Sequence, residues 1–221
     1  MQSPRIALIH ATPVAIEPIV TAFKRLWPEA RTTNLLEDSL SVDLAAQGRL
    51  GDEMIERFLT LARYARRSGA DAILFTCSAF APAIEAAAAA LDVPVLKPNE
   101  AMLDEALACG TRIGIMGTFE PSIPSLRAEV EELARRRSLE LTIKTRVVHG
   151  ALAALHEDHA DEHDRLIAAG AAEMEDCDAL ILGQFSMASA AECIPARPGR
   201  TVLTSPASAV LRLKQEFYVR K

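Results

Sequence analysis

The stretches Asp71-Ala-Ile-Leu-Phe-Thr-Cys77 and Asp178-Ala-Leu-Ile-Leu-Gly-Gln184 indicate the fold of this chain. Each starts with an aspartate and runs through buried-type apolar residues toward a polar residue. Short apolar runs of this kind are typical of strands covered on both faces of a parallel sheet. The two stretches begin at positions 71 and 178, an offset of 107 residues.

Two further pairs of segments keep the same offset of 107 residues. Arg5-Ile-Ala-Leu-Ile-His10 corresponds to Arg112-Ile-Gly-Ile-Met-Gly117, and Val95-Leu96 corresponds to Val202-Leu203. A fixed period shared by several elements is the signature of an internal repeat. The sequence therefore predicts two homologous lobes.

Short apolar runs alternate with longer amphipathic ones along the whole chain. The runs predict strands at residues 6–9, 72–75, 93–96, 113–116, 147–148, 180–182 and 202–203. Helical spacing of apolar residues predicts helices over 52–67, 126–137 and 205–217. We expect an α/β fold with two pseudo-symmetric lobes, each a parallel sheet flanked by helices, and an active site in the interlobe cleft. The predicted lobes are residues 1–110 and 111–204, and 205–221 form a C-terminal helix that packs back at the lobe junction.

Composition excludes several classes of protein. Of 221 residues half are apolar, which argues against disorder, and there is no run of 18 apolar residues that could cross a membrane. The 30 acidic residues outnumber the 24 basic ones, which argues against nucleic acid as a partner. The four cysteines lack CxxC spacing and no export signal is present, so we expect a cytoplasmic chain without a disulfide framework.

Three histidines cluster in one stretch, where a metal site is conceivable. His159 and His163 lie four residues apart in an acidic stretch that begins at His156. A solvated polar helix start explains this pattern better, because dedicated sites recruit ligands from several elements. We expect no bound metal.

Thr76-Cys77-Ser78 is the strongest candidate for chemistry. Cys77 ends a predicted strand, and a helix is predicted to begin near Pro82. Backbone N–H groups and the positive end of a helix both lower a thiol pKa, so we expect thiolate near neutral pH. The alternative is a buried, inert cysteine. We expect structural roles for the other three cysteines: Cys109, Cys177 and Cys193.

A series of short motifs carries a resemblance to a known family. In chain order they are His10-Ala-Thr-Pro13, Glu37-Asp38-Ser39-Leu40, Thr76-Cys77-Ser78, Val93-Pro94-Val95, Asn99-Glu100-Ala101-Met102, Met116-Gly117-Thr118, His149-Gly150-Ala151, Gln184-Phe185-Ser186-Met187 and Ser205-Pro206. Their order and the twofold repeat resemble the cofactor-independent aspartate/glutamate racemase superfamily, which includes hydantoin racemases, maleate isomerases and arylmalonate decarboxylases.

The resemblance implies two α/β lobes with the active site between them, a small carboxylate substrate and a homodimer. Members commonly use two cysteines, one per lobe, as acid and base on opposite sides of a carbon next to a carboxylate. The resemblance also implies that no metal and no pyridoxal phosphate takes part.

This chain departs from that pattern at the second cysteine. The position equivalent to Cys77 is Gln184, whose amide does not titrate near pH 7 but can donate hydrogen bonds. His10 and His149 follow predicted strands and are candidates for the missing base. Alternatively, each is a supporting or surface histidine.

An enediolate that forms next to a carboxylate needs hydrogen-bond donors, which backbone N–H groups and hydroxyls at strand ends supply. The nearest predicted cation is Lys97. The candidate substrate-binding residues are Thr12, Pro13, Asp38, Thr76, Ser78, Ala79, Gly117, Thr118, Phe185 and Ser186.

These residues predict an enzyme that racemises or isomerises a small acid, with Cys77 as base or nucleophile. One alternative is a lyase resembling the single-cysteine arylmalonate decarboxylases, although in those enzymes the cysteine belongs to the second half. Another is a non-catalytic carboxylate-binding protein. Rapid alkylation of Cys77 by iodoacetamide at pH 7 would favour the enzymes.

Overall fold

A computed structural model describes residues 3–219 of the chain, and these residues form two four-stranded parallel sheets. The first sheet contains β1 (Arg5–His10), β2 (Arg31–Leu36), β3 (Ala72–Phe75) and β4 (Val95–Leu96). The second contains β5 (Arg112–Gly117), β6 (Thr142–Val147), β7 (Ala179–Leu182) and β8 (Thr201–Thr204). Both sheets have the same topology, with strand orders β2-β1-β3-β4 and β6-β5-β7-β8.

Helices follow the strands in both halves, because parallel neighbours in a sheet need crossover connections. They are α1 (Ile16–Leu26), α2 (Ser39–Gln47), α3 (Asp52–Arg67), α4 (Ala81–Ala90), α5 (Glu100–Cys109), α6 (Ser122–Arg136), α7 (Ala151–His156), α8 (Ala160–Ala172) and α9 (Ser205–Val219). The predicted α/β class with two similar halves is therefore confirmed. Within the described range, no helix combines the length and the apolar character that crossing a membrane requires.

The chain divides into two compact units, each with its own core. One contains residues up to 100 together with those from 209 onward, and the other contains 101–208. The division falls near the start of α5 because Met102, Ala106 and Leu107 pack against β5 and β7 of the second unit. Residues 1–2 and 220–221, which the predicted lobes include, lie outside the described residues.

The 107-residue repeat extends to individual hydrogen bonds. The Asp71 carboxylate accepts the N–H of Arg5 at 2.8 Å, and the Asp178 carboxylate accepts the N–H of Arg112 at 2.9 Å. Each aspartate therefore stabilises the start of the strand pair that leads to a candidate site. Gly110 is needed beside the second aspartate, because a Cβ there would lie 2.3 Å from Asp178 Oδ2.

Asp178→Asn should lower the midpoint of thermal unfolding at pH 7 by roughly 2–4 °C. Hydrogen bonds from Arg112 lower the pKa of Asp178 to about 2. A pKa below the ordinary value means that the stabilisation is complete above about pH 4 and is lost as pH falls through about 2. Melting curves between pH 7 and 2.5 should show the variant and the wild type converging. A difference in unfolding midpoint that stays constant across this pH series would contradict the assignment. Asp176→Asn, which alters an exposed carboxylate, is the matched control.

An aromatic cluster lies under the end of β3. The ring of Phe58 on α3 stacks on that of Phe75, with the ring centroids 5.1 Å apart. The centroids of Phe58 and Phe80 are 4.8 Å apart. All three rings are buried. Because Phe75 and Phe80 flank Cys77 in sequence, this cluster holds the backbone on both sides of the thiol.

Three strands differ from the sequence-based prediction. The predicted strands do not include β2 and include only the last residue of β6, because both are edge strands whose residues are exposed or half-buried. Such strands lack the continuous apolar run that reveals a central strand. The predicted strand 93–96 is shorter than expected and pairs only at Val95–Leu96.

Candidate active site

Cys77 lies between the end of β3 and a single turn of 3₁₀ helix at Ser78–Phe80. Its backbone is extended, with φ −127° and ψ 120°, and its side chain is half-buried. The sulfur accepts a hydrogen bond from the backbone N–H of Ala79 and is hydrogen-bonded to the side chain of Ser41. Thus β3 places the thiol at the carboxyl edge of the first sheet, where α/β proteins bind ligands.

The protonation of Cys77 differs from the prediction of a readily available thiolate. Burial raises the pKa of Cys77 above its usual value, and the hydrogen bonds from Ala79 and Ser41 oppose that rise without overcoming it. The sequence showed the donors near a strand end but not how much of the sulfur is removed from water. At neutral pH the thiol form therefore prevails in the unliganded chain. Slow rather than rapid alkylation is expected, so iodoacetamide reactivity at pH 7 does not separate an enzyme from a binding protein.

His10, the last residue of β1, is completely buried. Its Nδ1 lies 2.9 Å from Thr76 Oγ1, and its Nε2 lies 3.0 Å from Asn34 Oδ1. Burial lowers the pKa of His10, although the bond to Asn34 works in the opposite direction. A neutral ring with both nitrogens occupied links β1 to β2 and to Thr76, the residue before the thiol.

The other candidates of the first unit lie around the ends of β1 and β3. Thr12 is half-buried and Pro13 is exposed at the turn after β1. Ser78 and Ala79 are exposed in the 3₁₀ turn after Cys77. Asp38 is exposed just before α2. The structure thus places hydroxyl and N–H donors beside Cys77, whereas Asp38 makes no capping bond to α2.

Gln184 occupies in the second unit the place that Cys77 has in the first. It follows β7 with φ −130° and ψ 148° and precedes the 3₁₀ turn Phe185–Met187. Its Oε1 accepts the backbone N–H of Thr118 at 2.7 Å, and it lies 3.2 Å from Thr118 Oγ1. Since a backbone N–H can only donate, the amide oxygen must face Thr118. The chemistry that Gln184 offers a ligand is therefore hydrogen-bond donation by its NH₂ group.

Glycines replace the His10–Thr76 pair in the second unit. The equivalent positions are Gly117, which is buried, and Gly183. A Cβ at Gly183 would lie 2.9 Å from the carbonyl oxygen of Met116, so a side chain there would push β7 away from β5. The absence of side chains lets the two strands approach closely just before Gln184.

The remaining second-unit candidates differ in exposure. Phe185 and Ser186 are half-buried in the turn after Gln184, and Thr118 is buried. His149 is exposed, two residues after the end of β6. Gln184 and Thr118 are thus in contact. Within residues 3–219, no hydrogen bond joins His149 to either of them.

Two other sequence-based expectations are changed by the structure. His163 does not lie on a solvated face but is 1% exposed, with Nδ1 2.7 Å from Asp164 Oδ1, because it points inward from α8. Among the described residues, no group of three His, Cys, Asp or Glu side chains could hold a metal ion. Lys97 is engaged by Glu85 at 2.7 Å.

Three residues that the sequence analysis did not select support the first-unit site. Ser41 contacts the thiol, Asn34 contacts His10, and Arg57 binds the segment around Ser41. Ser41 directly follows the Glu37–Leu40 motif, and this is the signal in the sequence that could have identified it. The other three cysteines remain candidates for structural roles: Cys177 is buried, while Cys109 and Cys193 are exposed.

Comparison with solved structures shows the same fold over nearly the whole chain. A glutamate racemase isoform from Bacillus anthracis matches with a TM-score of 0.64 and 16% identity, covering 100% of this chain and 84% of that one. Allantoin racemase from Klebsiella pneumoniae matches with a TM-score of 0.64 and 18% identity, covering 98% and 89%. A glycine-to-cysteine mutant of arylmalonate decarboxylase matches with a TM-score of 0.66 and 22% identity, covering 96% and 94%.

Sequence comparison supplies the family. A search of curated proteins found no significant match. The profile of the Asp/Glu/Hydantoin racemase family matches residues 11–213, which include both strand-end sites and nearly all of both units. The repeat, the paired parallel sheets and this match agree, and the chain belongs to the Asp/Glu/Hydantoin racemase family.

Proposed function

We propose that the chain is an enzyme that moves a proton at the carbon next to the carboxylate of a small acid, with Cys77 as the acid or base. The observation that carries this proposal is the asymmetry of the two equivalent strand ends. A thiol lies at one of them, and at the other lies an amide whose oxygen is already bound by Thr118. The family match supports racemase-like chemistry in general.

The first step follows from what each group can do. The sulfur, as thiolate, takes the proton of the reacting carbon, and the electron pair of the C–H bond forms an enediolate with the carboxylate. Hydroxyl and N–H donors at the strand ends, such as those of Ser78 and Ala79 beside Cys77, stabilise the charge that develops on oxygen. The thiol then returns a proton to the same face of the carbon, because Gln184 cannot supply one from elsewhere.

Neutral donors suit this substrate class. Lys97, which follows β4, is already paired with Glu85. We expect the carboxylate to be bound by N–H and O–H groups, as at an oxyanion hole, and not by Lys97. Such binding favours one carboxylate next to the reacting carbon and makes no special provision for a second, distant one.

A decarboxylase is the second candidate, and the protonation of Cys77 favours it. The bond between the central carbon of a malonate and one carboxylate breaks, carbon dioxide leaves, and the electron pair forms the enediolate of the remaining carboxylate. The thiol of Cys77 then gives its proton to that carbon. Because burial raises the pKa of Cys77, the thiol form needed for this step prevails at neutral pH.

Proton NMR in deuterium oxide distinguishes these reactions. We expect one-faced chemistry: exchange of the proton next to the carboxylate with retained configuration, or loss of carbon dioxide from a disubstituted malonate. Free aspartate and glutamate should racemise weakly or not at all. Rapid racemisation of a pure enantiomer, undiminished in His10→Ala and His149→Ala, would contradict a single acid–base group. Substrate binding without exchange or decarboxylation would instead indicate a carboxylate-binding protein.

A further inference from the structure

The thiol of Cys77 has one polar side-chain neighbour that the proposed reaction has not used. Ser41 lies on α2, is half-buried, and hydrogen-bonds to the sulfur of Cys77. Its Oγ also donates to the backbone carbonyl of Ala11, at 3.1 Å. Ser41 thus connects the thiol with the turn that follows β1.

A serine hydroxyl carries a single proton, so these two contacts exchange roles when Cys77 ionises. While Cys77 is a thiol, Ser41 donates to Ala11 and its oxygen can accept the S–H proton. When Cys77 becomes a thiolate, the hydroxyl proton can turn to the sulfur, where a charge-assisted bond is stronger. The side chain therefore fits both protonation states without moving its oxygen.

The position of Ser41 depends on α2, which is weakly held by apolar packing. The helix has nine residues, Leu40 is its buried residue, and it ends at Gly48 in the left-handed conformation with φ 66°. Short helices are marginal without tertiary contacts. The apolar contact of α2 is narrow, formed by the buried Leu40 and the partly buried Leu44, so a polar contact is needed to fix where Ser41 lies.

Arg57 of α3 supplies that contact. Its guanidinium donates to Asp43 at 2.5 Å, to Ser39 at 2.7 Å, and to Glu37. Ser39 also donates to Glu37, at 2.6 Å. These partners lie on both sides of Ser41 in sequence, so one guanidinium holds the segment before α2 and the helix itself. We call Arg57, Glu37, Ser39 and Asp43 the Arg57 cluster.

The Arg57 cluster is suited to persist at neutral pH. Burial alone would raise the pKa of Glu37, but the hydrogen bonds from Ser39 and Arg57 outweigh it and hold that pKa below its usual value. The arginine itself remains charged. Its neighbour on α3, Phe58, is buried in the aromatic cluster under β3, so α3 is a rigid base for the contact.

We propose that Ser41 and Arg57 are positioning residues for Cys77. Ser41 hydrogen-bonds to the sulfur in both of its protonation states, and Arg57 holds α2 in the place from which Ser41 reaches the sulfur. The proposal rests on the proposed role of Cys77 in proton transfer. Neither residue is assigned contact with the substrate, so both act through the thiol.

The test measures the thiol directly and needs no substrate. Iodoacetamide alkylation of the full chain is followed peptide by peptide at pH 7–11, since its rate tracks the thiolate fraction. Ser41→Ala should move the midpoint of the Cys77 alkylation profile upward by about one pH unit. At a fixed pH below the midpoint, alkylation should then be about tenfold slower. Ser41→Thr restores a hydroxyl and should return the profile toward that of the wild type. The exposed Cys109 and Cys193 are internal controls that should not change.

Arg57→Ala should move the Cys77 profile in the same direction, and Arg57→Lys should move it less, because lysine keeps the charge but not the planar set of donors. Arg63→Ala is the matched control, since Arg63 lies on the same helix and binds the exposed Glu56 at 3.1 Å. If Arg57→Ala does not fold, Arg57→Lys and Glu37→Gln answer the same question.

An unchanged midpoint in Ser41→Ala would overturn the proposal, and so would equal shifts in Arg57→Ala and Arg63→Ala. A profile shift that Ser41→Thr does not reverse would also overturn it, because volume rather than the hydroxyl would then be responsible. Failure to find a turned-over substrate would count against the proposed function but would leave these alkylation results intact. The proposed function and the positioning roles of Ser41 and Arg57 are therefore tested by independent results.

Discussion

Cys77→Ala is expected to reduce turnover by roughly 10²–10⁴-fold, the range that a positioned acid–base group contributes. Alanine keeps the Cβ and the extended backbone before the 3₁₀ turn, and Phe58, Phe75 and Phe80 continue to hold that segment. The fold should therefore survive, with a loss of unfolding free energy of about 1 kcal/mol. Turnover of the NMR-identified substrate and a thermal melt measure the two effects separately.

The three remaining cysteines are the controls for that substitution. Cys109→Ala, Cys177→Ala and Cys193→Ala should each keep turnover per folded molecule close to that of the wild type. Cys177 is buried and its substitution should affect stability more than activity. If one of these variants loses turnover and Cys77→Ala keeps it, the assignment of the reacting thiol is wrong.

Gln184→Cys is expected to introduce racemisation of a substrate that the wild type only exchanges with retention. The backbone at residues 77 and 184 is extended in both cases and leads into the same kind of turn. The N–H of Thr118, which now binds the amide oxygen of Gln184 at 2.7 Å, would be a donor for a thiolate at that position. A positioned acid–base group typically raises the rate of a proton-transfer step by roughly 10²–10⁴-fold. Inversion should therefore rise by at least about 10²-fold.

The measurement is the ratio of inversion to exchange for each pure enantiomer in deuterium oxide. Gln184→Ser removes the amide without adding a group that titrates near neutral pH, so it should leave inversion at the wild-type level. If Gln184→Cys folds and still exchanges but does not invert, residue 184 does not act on the carbon that Cys77 serves. Gain of inversion in the serine variant as well would indicate that water, rather than the new thiol, supplies the proton.

Much of the fold was predictable because central strands and amphipathic helices carry strong local patterns. The predicted helix 52–67 is observed with those bounds as α3, and the strand 72–75 is observed as β3. The edge strands β2 and β6 were missed or shortened because their half-exposed residues resemble those of a loop. Their places become clear only from the backbone bonds that pair them with β1 and β5.

The sequence by itself determined the repeat, the parallel α/β class and the asymmetry between a thiol at 77 and an amide at 184, because each depends on residues close together in the chain. Only the tertiary structure decided how these groups behave. Ser41 and Asn34 reach Cys77 and His10 across long stretches of chain, through the packing of α2 and β2. The direction of the Cys77 pKa follows from a balance between loss of water and gained hydrogen bonds. Such a balance is set by three-dimensional surroundings, which residue order does not display.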